Sequence, residues 1–193
     1  MNGSGSVLQE QKSSRSVRNR AVSASGQGYD AVVATPWAGL ALGVRVRDDM
    51  LIAIDFLTAP AMQHTPRAGI AGEVARQVQA YFRDPQSRFN LPLAPAGTAF
   101  QHRVWAAMRR IPVGETRSYG ELARQLGSSA RAIGGACRAN PIPVVIPCHR
   151  VVATHGIGGF MGVTAGAGLR IKQNLLAHES AFQGGDDGSP RSR

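Results

Sequence analysis

The stretch "SYGELARQLGSSARAIGGACRAN", residues 118–140, decides how the second half of this chain folds. Ser118 precedes Glu121 by three residues, the spacing of a capping box, and so predicts the start of a helix that ends at Gly127. The serine pair that follows can cap a second helix, which Asn140 and the next proline end. Two short helices joined by a glycine-containing turn are typical of a helix-turn-helix.

The second of these helices carries two arginines with small residues between them. Arg131 and Arg138 flank a run that contains Gly134 and Gly135. Each glycine costs a helix about 1 kcal/mol relative to alanine, so the pair needs a reason. Tight packing against a neighbouring element is one reason, and close approach to a nucleic-acid backbone is another. The two are compatible, and the sequence leaves both open.

The first half of the chain predicts strands and one helix. A short strand begins at Tyr29, and partly alternating apolar residues at 40–47 and 50–57, separated by an Asp-Asp turn, predict two more in an antiparallel meander. Apolar side chains at helical spacing predict a helix over 70–84. We therefore predict an α+β fold: a small N-terminal antiparallel sheet with a helix, plus a mainly helical C-terminal domain that contains the helix-turn-helix.

The distribution of residue types along the chain predicts where one segment ends and the next begins. A proline-rich stretch without periodicity predicts a linker, and Thr98, three residues before Gln101, opens the first helix after it with a second capping box. Phe100, Val104, Trp105 and Met108 would line the inner face of that helix. The predicted segments are a disordered basic arm at 1–27, an α/β domain at 28–84, the linker at 85–97, a helical domain at 98–181 and a disordered tail at 182–193.

The positive charge is concentrated in the helical half. The net charge of the whole chain is +10, of which residues 98–181 carry +7 and residues 28–97 carry none. Arginine supplies most of this charge and suits phosphate and groove recognition better than lysine does. A basic surface without a specific partner is also possible, but the localisation favours nucleic-acid binding.

Other classes of protein find little support. No apolar stretch is long enough to span a bilayer, and residues 1–20 lack the apolar core of a signal peptide. Cys137 and Cys148 are the only cysteines, which suits a reducing cytosol, and neither has a CxxC partner for zinc. These observations predict a cytoplasmic protein without a zinc site.

The second decisive stretch is "NPIPVVIPCHRVV", residues 140–152, where an apolar run meets Cys148, His149 and an arginine. Cys148 is either a buried core thiol or a nucleophile activated by a base. If the segment is extended, adjacent side chains point apart, and a water would have to link His149 to the thiol. Glu179, at the end of the last predicted helix, is the candidate for orienting His149. A cysteine protease remains possible in principle, although no matching signature is present.

This stretch resembles the active-site signature of the O6-alkylguanine-DNA alkyltransferases. Three more stretches resemble the first helix, the recognition helix and the closing helix of that family: "FQHRVWAAMRRIPVGETRSYGELARQLG", "RAIGGACRANP" and "IKQNLLAHE". The close match covers about residues 98–180, and the N-terminal part matches only in outline.

The resemblance implies a reaction. Members bind double-stranded DNA through the minor groove and flip the damaged base into a pocket. Cys148 would take the alkyl group from O6 of guanine in one irreversible displacement, and O4-methylthymine is also expected as a substrate. The protein would act once, as a monomer able to bind DNA cooperatively, without a cofactor. Repair by direct reversal is thus the implied function.

The resemblance also implies roles for individual residues. His149 would accept the thiol proton through a water, Glu179 would hold the imidazole, Asn140 would brace the turn, and Tyr119 would crowd the flipped nucleotide and donate its hydroxyl to the purine. Arg131 would fill the gap in the base stack. The implied DNA contacts are Ser118, Tyr119, Arg131, Ala132, Gly134 and Arg138. The implied pocket residues are Cys137, Val151, Gly158, Gly159, Phe160 and Met161, with Cys137 serving as a small packing residue.

Two departures from the family pattern bear on substrate range. Phe160 stands where well-known members have a tyrosine, and the loop from Met161 to Gly168 looks longer than usual. An alternative function is a non-catalytic protein that senses alkyl lesions, but the intact Cys148 argues against it. A regulator that also repairs is weaker still, because the chain offers no further sequence-specific DNA-binding domain.

Overall fold

The N-terminal part forms an antiparallel sheet. The computed structural model describes residues 28–58, 66 and 68–181, so the predicted arms at 1–27 and 182–193 lie outside the described residues. The strands are β1 (Ala31–Ala34), β2 (Leu40–Arg47) and β3 (Met50–Thr58), paired in that order as a meander. Asp48 and Asp49, with φ of 49° and 54°, form the two-residue turn between β2 and β3. The predicted meander is confirmed.

One helix packs on this sheet. Helix α1 (Gly69–Arg83) buries one apolar face, which includes Val74, Val78 and Tyr81. These side chains share a core with Leu42 from β2. The amphipathic spacing that predicted a helix over 70–84 thus reflects packing against the sheet, and the α+β fold class is confirmed.

The predicted linker lies along the sheet. Leu51 donates its backbone N–H to Pro92 O at 2.9 Å, and Ala94 donates to Leu51 O at 2.9 Å. Leu91 is also buried in the core. Buried residues from the sheet and from the C-terminal helices form one continuous cluster. The division into separate domains at residues 85–97 stays a prediction.

The C-terminal part is mainly helical, as predicted. Helix α2 (Ala99–Met108) begins at Thr98 with its capping box, and α3 (Tyr119–Gln125) begins at Ser118 with the other. Helix α4 (Ala130–Ala139) is capped by Ser129 and follows α3 after a short turn. Phe100 is only partly buried, whereas Val104, Trp105 and Met108 lie inside. The helix-turn-helix pattern is therefore present as α3 and α4.

Two local predictions were wrong. Cys148–Arg150 form a 3₁₀ helix rather than an extended segment, and extended structure begins only at β5 (Val151–Val152), which pairs in parallel with β4 (Arg117–Ser118). The closing helix α5 (Gly166–Ala181) runs past Glu179 instead of ending there. The hydrogen bond from Asn140 to Ile146 O holds the turn that leads into the 3₁₀ helix, and α5 continues two residues beyond Glu179 to Ala181.

Candidate active site and DNA-facing surface

The turn that presents Cys148 is held by Asn140. The side-chain amide of Asn140 donates to Ile146 O at 2.8 Å, and its carbonyl accepts from the backbone N–H of Ile142 at 3.0 Å. Within this turn Val144 has φ of 73°, an unfavourable conformation for a β-branched residue. Such strain persists only where the surrounding structure fixes it, and it is common at functional sites.

A cavity of about 270 Å³ opens at Cys148. Several elements contribute to its walls: α3, α4, the 3₁₀ turn and the loop before α5. Of the residues proposed from sequence, it brings together Tyr119, Arg131, Gly134, Cys137, Arg138, Cys148, Gly159, Phe160 and Met161. Cys148 is only 6% exposed, so the cavity is the route by which a reactant would meet its thiol.

The other proposed residues lie elsewhere. Ser118 caps α3, Ala132 follows Arg131 on α4 and is half-buried, and Val151 is fully buried in β5. Gly158 adjoins the cavity, because a Cβ built there would lie 3.1 Å from Cε2 of Tyr119. His149, Glu179 and Asn140 are buried next to the turn and do not line the cavity.

A buried hydrogen-bond network lies behind Cys148. Nε2 of His149 is 2.8 Å from Oε1 of Glu179, and both side chains are fully buried. Arg150 donates to both carboxylate oxygens, at 2.9 Å from Nε and 2.8 Å from Nη2. Tyr81 of α1 donates its hydroxyl to Glu179 at 2.8 Å. A carboxylate in so apolar a position is tolerated only because it is fully paired.

The network fixes the charge state of its members. Burial alone would raise the pKa of Glu179, but hydrogen bonds from His149 and Arg150 outweigh it and hold that pKa far below its usual range. Burial lowers the pKa of His149, although Glu179 partly opposes the effect. At neutral pH an anionic Glu179 therefore accepts from Nε2–H of a neutral imidazole. Nδ1 of His149, which then carries the lone pair, makes no hydrogen bond to a described residue.

Lys172 is a site residue that the sequence reasoning missed. Its ammonium group is buried and donates to Val151 O at 2.6 Å and to Gly159 O at 3.0 Å. Burial lowers its pKa to about 8, while the nearby Cys148 partly opposes that shift. A signal was available: Lys172 is one of two lysines in the chain and lies two turns before Glu179 on the same face of α5.

Arg150 and Tyr81 were missed as well. Arg150 stood inside the quoted signature, but only the 3₁₀ turn brings its guanidinium to Glu179. Tyr81 is 98 residues from Glu179 in sequence, and its helical spacing predicted only a core position. No local pattern could have found that contact, because the fold alone creates it.

Cys137 and Tyr119 share the cavity with Cys148. Burial raises the pKa of the Cys137 thiol, which suits its predicted role as a packing residue. Burial, with smaller contributions from the two cysteines, raises the pKa of Tyr119 to about 12, so its hydroxyl stays protonated. That hydroxyl donates to Gly159 O at 3.3 Å. Tyr119 is therefore a hydrogen-bond donor placed at the mouth of the cavity.

The surface of α4 is open at its glycines. A Cβ built on Gly134 or Gly135 meets no atom within 4 Å. Packing against a neighbour therefore does not explain the pair. The exposed side chains of Arg131 and Arg138 lie on the same helix and line the same cavity. A smooth, basic helix surface thus surrounds the entrance to Cys148.

The described residues offer neither a metal site nor a membrane-spanning helix. Across the described part of the chain, His, Cys, Asp and Glu form no cluster able to hold a metal ion. Among the same residues, no helix has the length and apolar character needed to cross a membrane.

Comparison with known proteins identifies a family, with the family model matching the C-terminal part of the chain. The family model for the 6-O-methylguanine DNA methyltransferase DNA-binding domain matches residues 99–181. A methylated-DNA–protein-cysteine methyltransferase of Methanosarcina acetivorans is 44% identical over 112 residues, which span 56% of this chain and 69% of the relative. One from Mycolicibacterium paratuberculosis is 49% identical over 117 residues, 59% of this chain and 67% of the relative. The chain belongs to the methylated-DNA–protein-cysteine methyltransferase family.

Solved structures agree with this assignment. The crystal structure of Mycobacterium tuberculosis O6-methylguanine methyltransferase is 32% identical, with a TM-score of 0.62, covering 84% of this chain and 96% of that one. A structure of the same enzyme in complex with DNA has 34% identity and a TM-score of 0.59, covering 73% of this chain and 87% of that one. As a methyltransferase of this family, the protein is a DNA-binding enzyme that repairs alkylated DNA by direct reversal.

Proposed function

We propose that the protein transfers the O6-alkyl group of guanine in double-stranded DNA, and the O4-methyl group of thymine, to its own Cys148. The observation that carries the proposal is the position of this thiol. It lies at the base of a cavity walled by the basic helix α4, with His149 and Glu179 hydrogen-bonded directly behind it. Family membership supplies the reaction class, and this geometry supplies the acceptor.

The proposed chemistry is a single in-line displacement. Sγ of Cys148 forms a bond to the alkyl carbon while the bond from that carbon to O6 breaks, and the electron pair stays with the purine. The thiol proton leaves through His149, and guanine gains one proton in exchange for the alkyl group. The thioether product has no leaving group, so each protein molecule acts once and needs no cofactor.

The buried network supports His149 as the base. Glu179 accepts from Nε2–H and so leaves the lone pair on Nδ1, which can take the thiol proton through a bridging water. Arg150 keeps the carboxylate ionised and in place. The buried ammonium of Lys172 adds a positive charge near Cys148, which favours the thiolate.

The surface around the cavity supports base flipping from the minor groove. A base inside the duplex is out of reach of a thiol that is only 6% exposed, so the lesion must leave the stack. Arg131 stands at the cavity entrance and would fill the gap that the base leaves. Arg138 and the open backbone at Gly134 would follow the phosphates, and the hydroxyl of Tyr119 would exchange its bond to Gly159 O for one to the purine.

The walls of the cavity support recognition of guanine. The backbone carbonyl of Cys148, which lines the cavity, and that of Val151, which lies three residues further on in β5, would accept from the exocyclic amino group. The Val151 carbonyl already accepts from Lys172, so its second lone pair would serve the base. Phe160 packs edge-on against Phe56 and would form the apolar lip with Met161, Gly158 and Gly159.

We also propose that the protein acts as a monomer.

Intact-protein mass spectrometry tests the proposal. Mixing the protein with a duplex bearing one O6-methylguanine should add one methyl group per molecule, irreversibly, and peptide mapping should place it on Cys148. Cys148→Ala should bind the same duplex and gain no mass, whereas the control Cys137→Ala should still be methylated. A second duplex with O4-methylthymine tests the wider substrate range. A methyl group on any other residue would refute the assignment of Cys148.

One outcome would favour the alternative function. If the wild-type protein bound the lesion tightly but gained no mass, it would be a non-catalytic sensor of alkyl lesions. The intact network of His149, Glu179 and Arg150 argues against that outcome, because a sensor has no need of a base held in one tautomer.

A further inference from the structure

A second cavity, of about 430 Å³, adjoins the other side chains of the catalytic turn. Its walls come from the segment after α1, from the loop after α2, and from Val144, Val145, Pro147 and Arg150 of the turn. It shares no lining residue with the cavity at Cys148. The proposed methyl transfer makes no use of it.

The cavity is lined by positive charge alone. Arg88, Arg109, Arg110 and Arg150 all line it, and no aspartate or glutamate among the described residues does. The side chains of Arg88, Arg109 and Arg110 are exposed, and none of the three forms an ion pair with another described residue. Like charges gathered in a concave site repel one another unless an anion binds between them.

Arg150 gives the cavity a preorganised inner wall. Arg150 is 8% exposed, and its guanidinium is fixed by bonds to both oxygens of Glu179 and to Ile111 O at 2.6 Å. Those bonds use three of the five N–H donors of an arginine, which leaves two. A fixed, buried guanidinium with donors to spare binds an oxyanion at little cost in side-chain entropy.

The end of α2 explains only part of this charge. The carboxyl end of a helix attracts cations, so Arg109 and Arg110, which follow α2 directly, have a structural reason to be there. That reason does not extend to Arg88, which comes from the segment after α1, or to Arg150 of the catalytic turn. Four arginines from three separate segments converge on one cavity.

We propose that this second cavity is a binding site for a phosphate-class oxyanion, held by Arg88, Arg109 and Arg110 around the fixed guanidinium of Arg150. Planar guanidinium groups match phosphate oxygens in pairs, and the absence of a lining carboxylate selects for anions. The phosphate has two possible sources: a free phosphate compound, or the backbone of DNA outside the lesion. The site goes beyond the proposed function and does not depend on it.

Calorimetric titration of the full chain with sodium tripolyphosphate, at constant ionic strength, tests the site. The wild-type protein should bind one equivalent saturably. Arg109→Gln/Arg110→Gln should weaken binding at least about tenfold, the loss of about 1.4 kcal/mol expected when charge-assisted hydrogen bonds are removed. Arg47→Gln/Arg103→Gln, a matched loss of two exposed arginines outside the cavity, should leave binding unchanged.

Two results would overturn the site. Either wild-type protein shows no saturable binding, or the two double variants weaken binding equally, which would indicate diffuse attraction to a basic surface. Arg109→Lys/Arg110→Lys guards against a folding defect, because it keeps the charge and should retain part of the affinity. A thermal melt should show that each variant is folded at the temperature of the titration.

Undamaged duplex DNA distinguishes the two sources of phosphate. If backbone phosphate occupies the cavity, Arg109→Gln/Arg110→Gln should reduce the slope of log K against log salt by about 1 to 2, more than the control pair does. If instead the slope changes equally in the two double variants, with tripolyphosphate binding weakened only in Arg109→Gln/Arg110→Gln, a free phosphate compound is the ligand. Methyl transfer to Cys148, measured on the same variants, reports separately on the proposed function.

Discussion

Glu179 shows how one buried residue depends on many partners. Its two carboxylate oxygens accept from Tyr81, His149, Arg150 and the backbone of Gly114. Each partner offsets part of the cost of burying the charge, and together they lower the pKa of the carboxyl. The residue therefore affects both the stability of the fold and the tautomer of His149.

The pH dependence of stability follows from this shift. Because the folded-state pKa of Glu179 is depressed, its contribution to the free energy of unfolding is present at neutral pH and is lost as the pH falls below 4.5, the ordinary value. Glu179→Gln should lower that free energy by about 3 kcal/mol at pH 7, since it leaves Arg150 buried without its anion.

Urea unfolding at pH 7, 5, 4 and 3 measures the effect. The difference between wild type and Glu179→Gln should shrink steadily below pH 4.5. Glu115→Gln removes an exposed carboxylate that pairs with Arg117, and it serves as the control. Its free energy of unfolding should differ little from that of the wild type at any pH. If the difference in the free energy of unfolding between wild type and Glu179→Gln stayed constant from pH 7 to pH 3, the conclusion that Glu179 is anionic in the folded protein would be contradicted.

At the scale of the element, helix α4 combines arginines with a pair of glycines, and both are visible in the sequence. Arg131 and Arg138 supply charge beside the cavity, and Gly134 and Gly135 keep the helix surface flat. Both glycines weaken the helix by the absence of a side chain and gain nothing from local packing. Both glycines line the cavity at Cys148, and we expect close approach of DNA to this helix surface to be the physical reason for them.

Arg131 should matter for duplex DNA and not for the chemistry itself. Arg131→Ala should slow methyl transfer from a duplex far more than it slows the reaction of Cys148 with the isolated base O6-benzylguanine, because only the duplex requires the flipped state to be held open. Single-turnover rates on both substrates measure the contrast. Arg124→Ala on α3 is the matched exposed control. Equal losses on both substrates would remove the proposed role.

Gly135→Ala should separate stability from function. The added methyl group meets no atom within 4 Å, so the free energy of unfolding should rise by up to about 1 kcal/mol. Binding to duplex DNA should nevertheless weaken, because the methyl group stands where the backbone of DNA would approach. Thermal melting and a duplex titration measure the two effects. Tighter binding together with higher stability would show that α4 does not press against DNA at this position.

At the scale of the whole molecule, the N-terminal sheet and the C-terminal helices share one core. Ile54 of β3 donates its backbone N–H to Pro141 O at 2.9 Å, and Phe56 packs against Phe160. Tyr81 completes this connection by reaching Glu179. The described residues of the N-terminal half therefore support the turn that carries Cys148, although none of them lines the cavity beside it.

Removing the hydroxyl of Tyr81 tests that support. Tyr81→Phe keeps the aromatic packing with Phe82, Phe89 and His178, so the effect isolates one hydrogen bond. We expect the free energy of unfolding to fall by about 1.5 kcal/mol, and methyl transfer to slow several-fold because Glu179 is held less firmly. Denaturant unfolding and single-turnover kinetics measure the two.

The control is Tyr29→Phe. That hydroxyl donates to Asp55 within the sheet, away from the hydrogen-bond network of Glu179. It should change stability slightly and leave the rate of methyl transfer as it is. If both variants slowed transfer equally, the effect would come from general loosening of the fold and not from the contact with Glu179.

Local patterns in the sequence determined the elements of this protein. The capping boxes at Thr98 and Ser118 fixed where α2 and α3 begin, and alternation fixed the meander, because capping and pleating depend on residues close together in the chain. The signature around Cys148 indicated the family, and therefore the reaction class, before any fold was known.

Only the tertiary structure decided how the site is assembled. The burial of Lys172 against Val151 O and the contact between Tyr81 and Glu179 depend on residues that are far apart in sequence. The cavity lined by arginines likewise exists only because three segments converge. A buried charge takes whatever partner the fold brings within reach, and no periodicity along the chain records that choice.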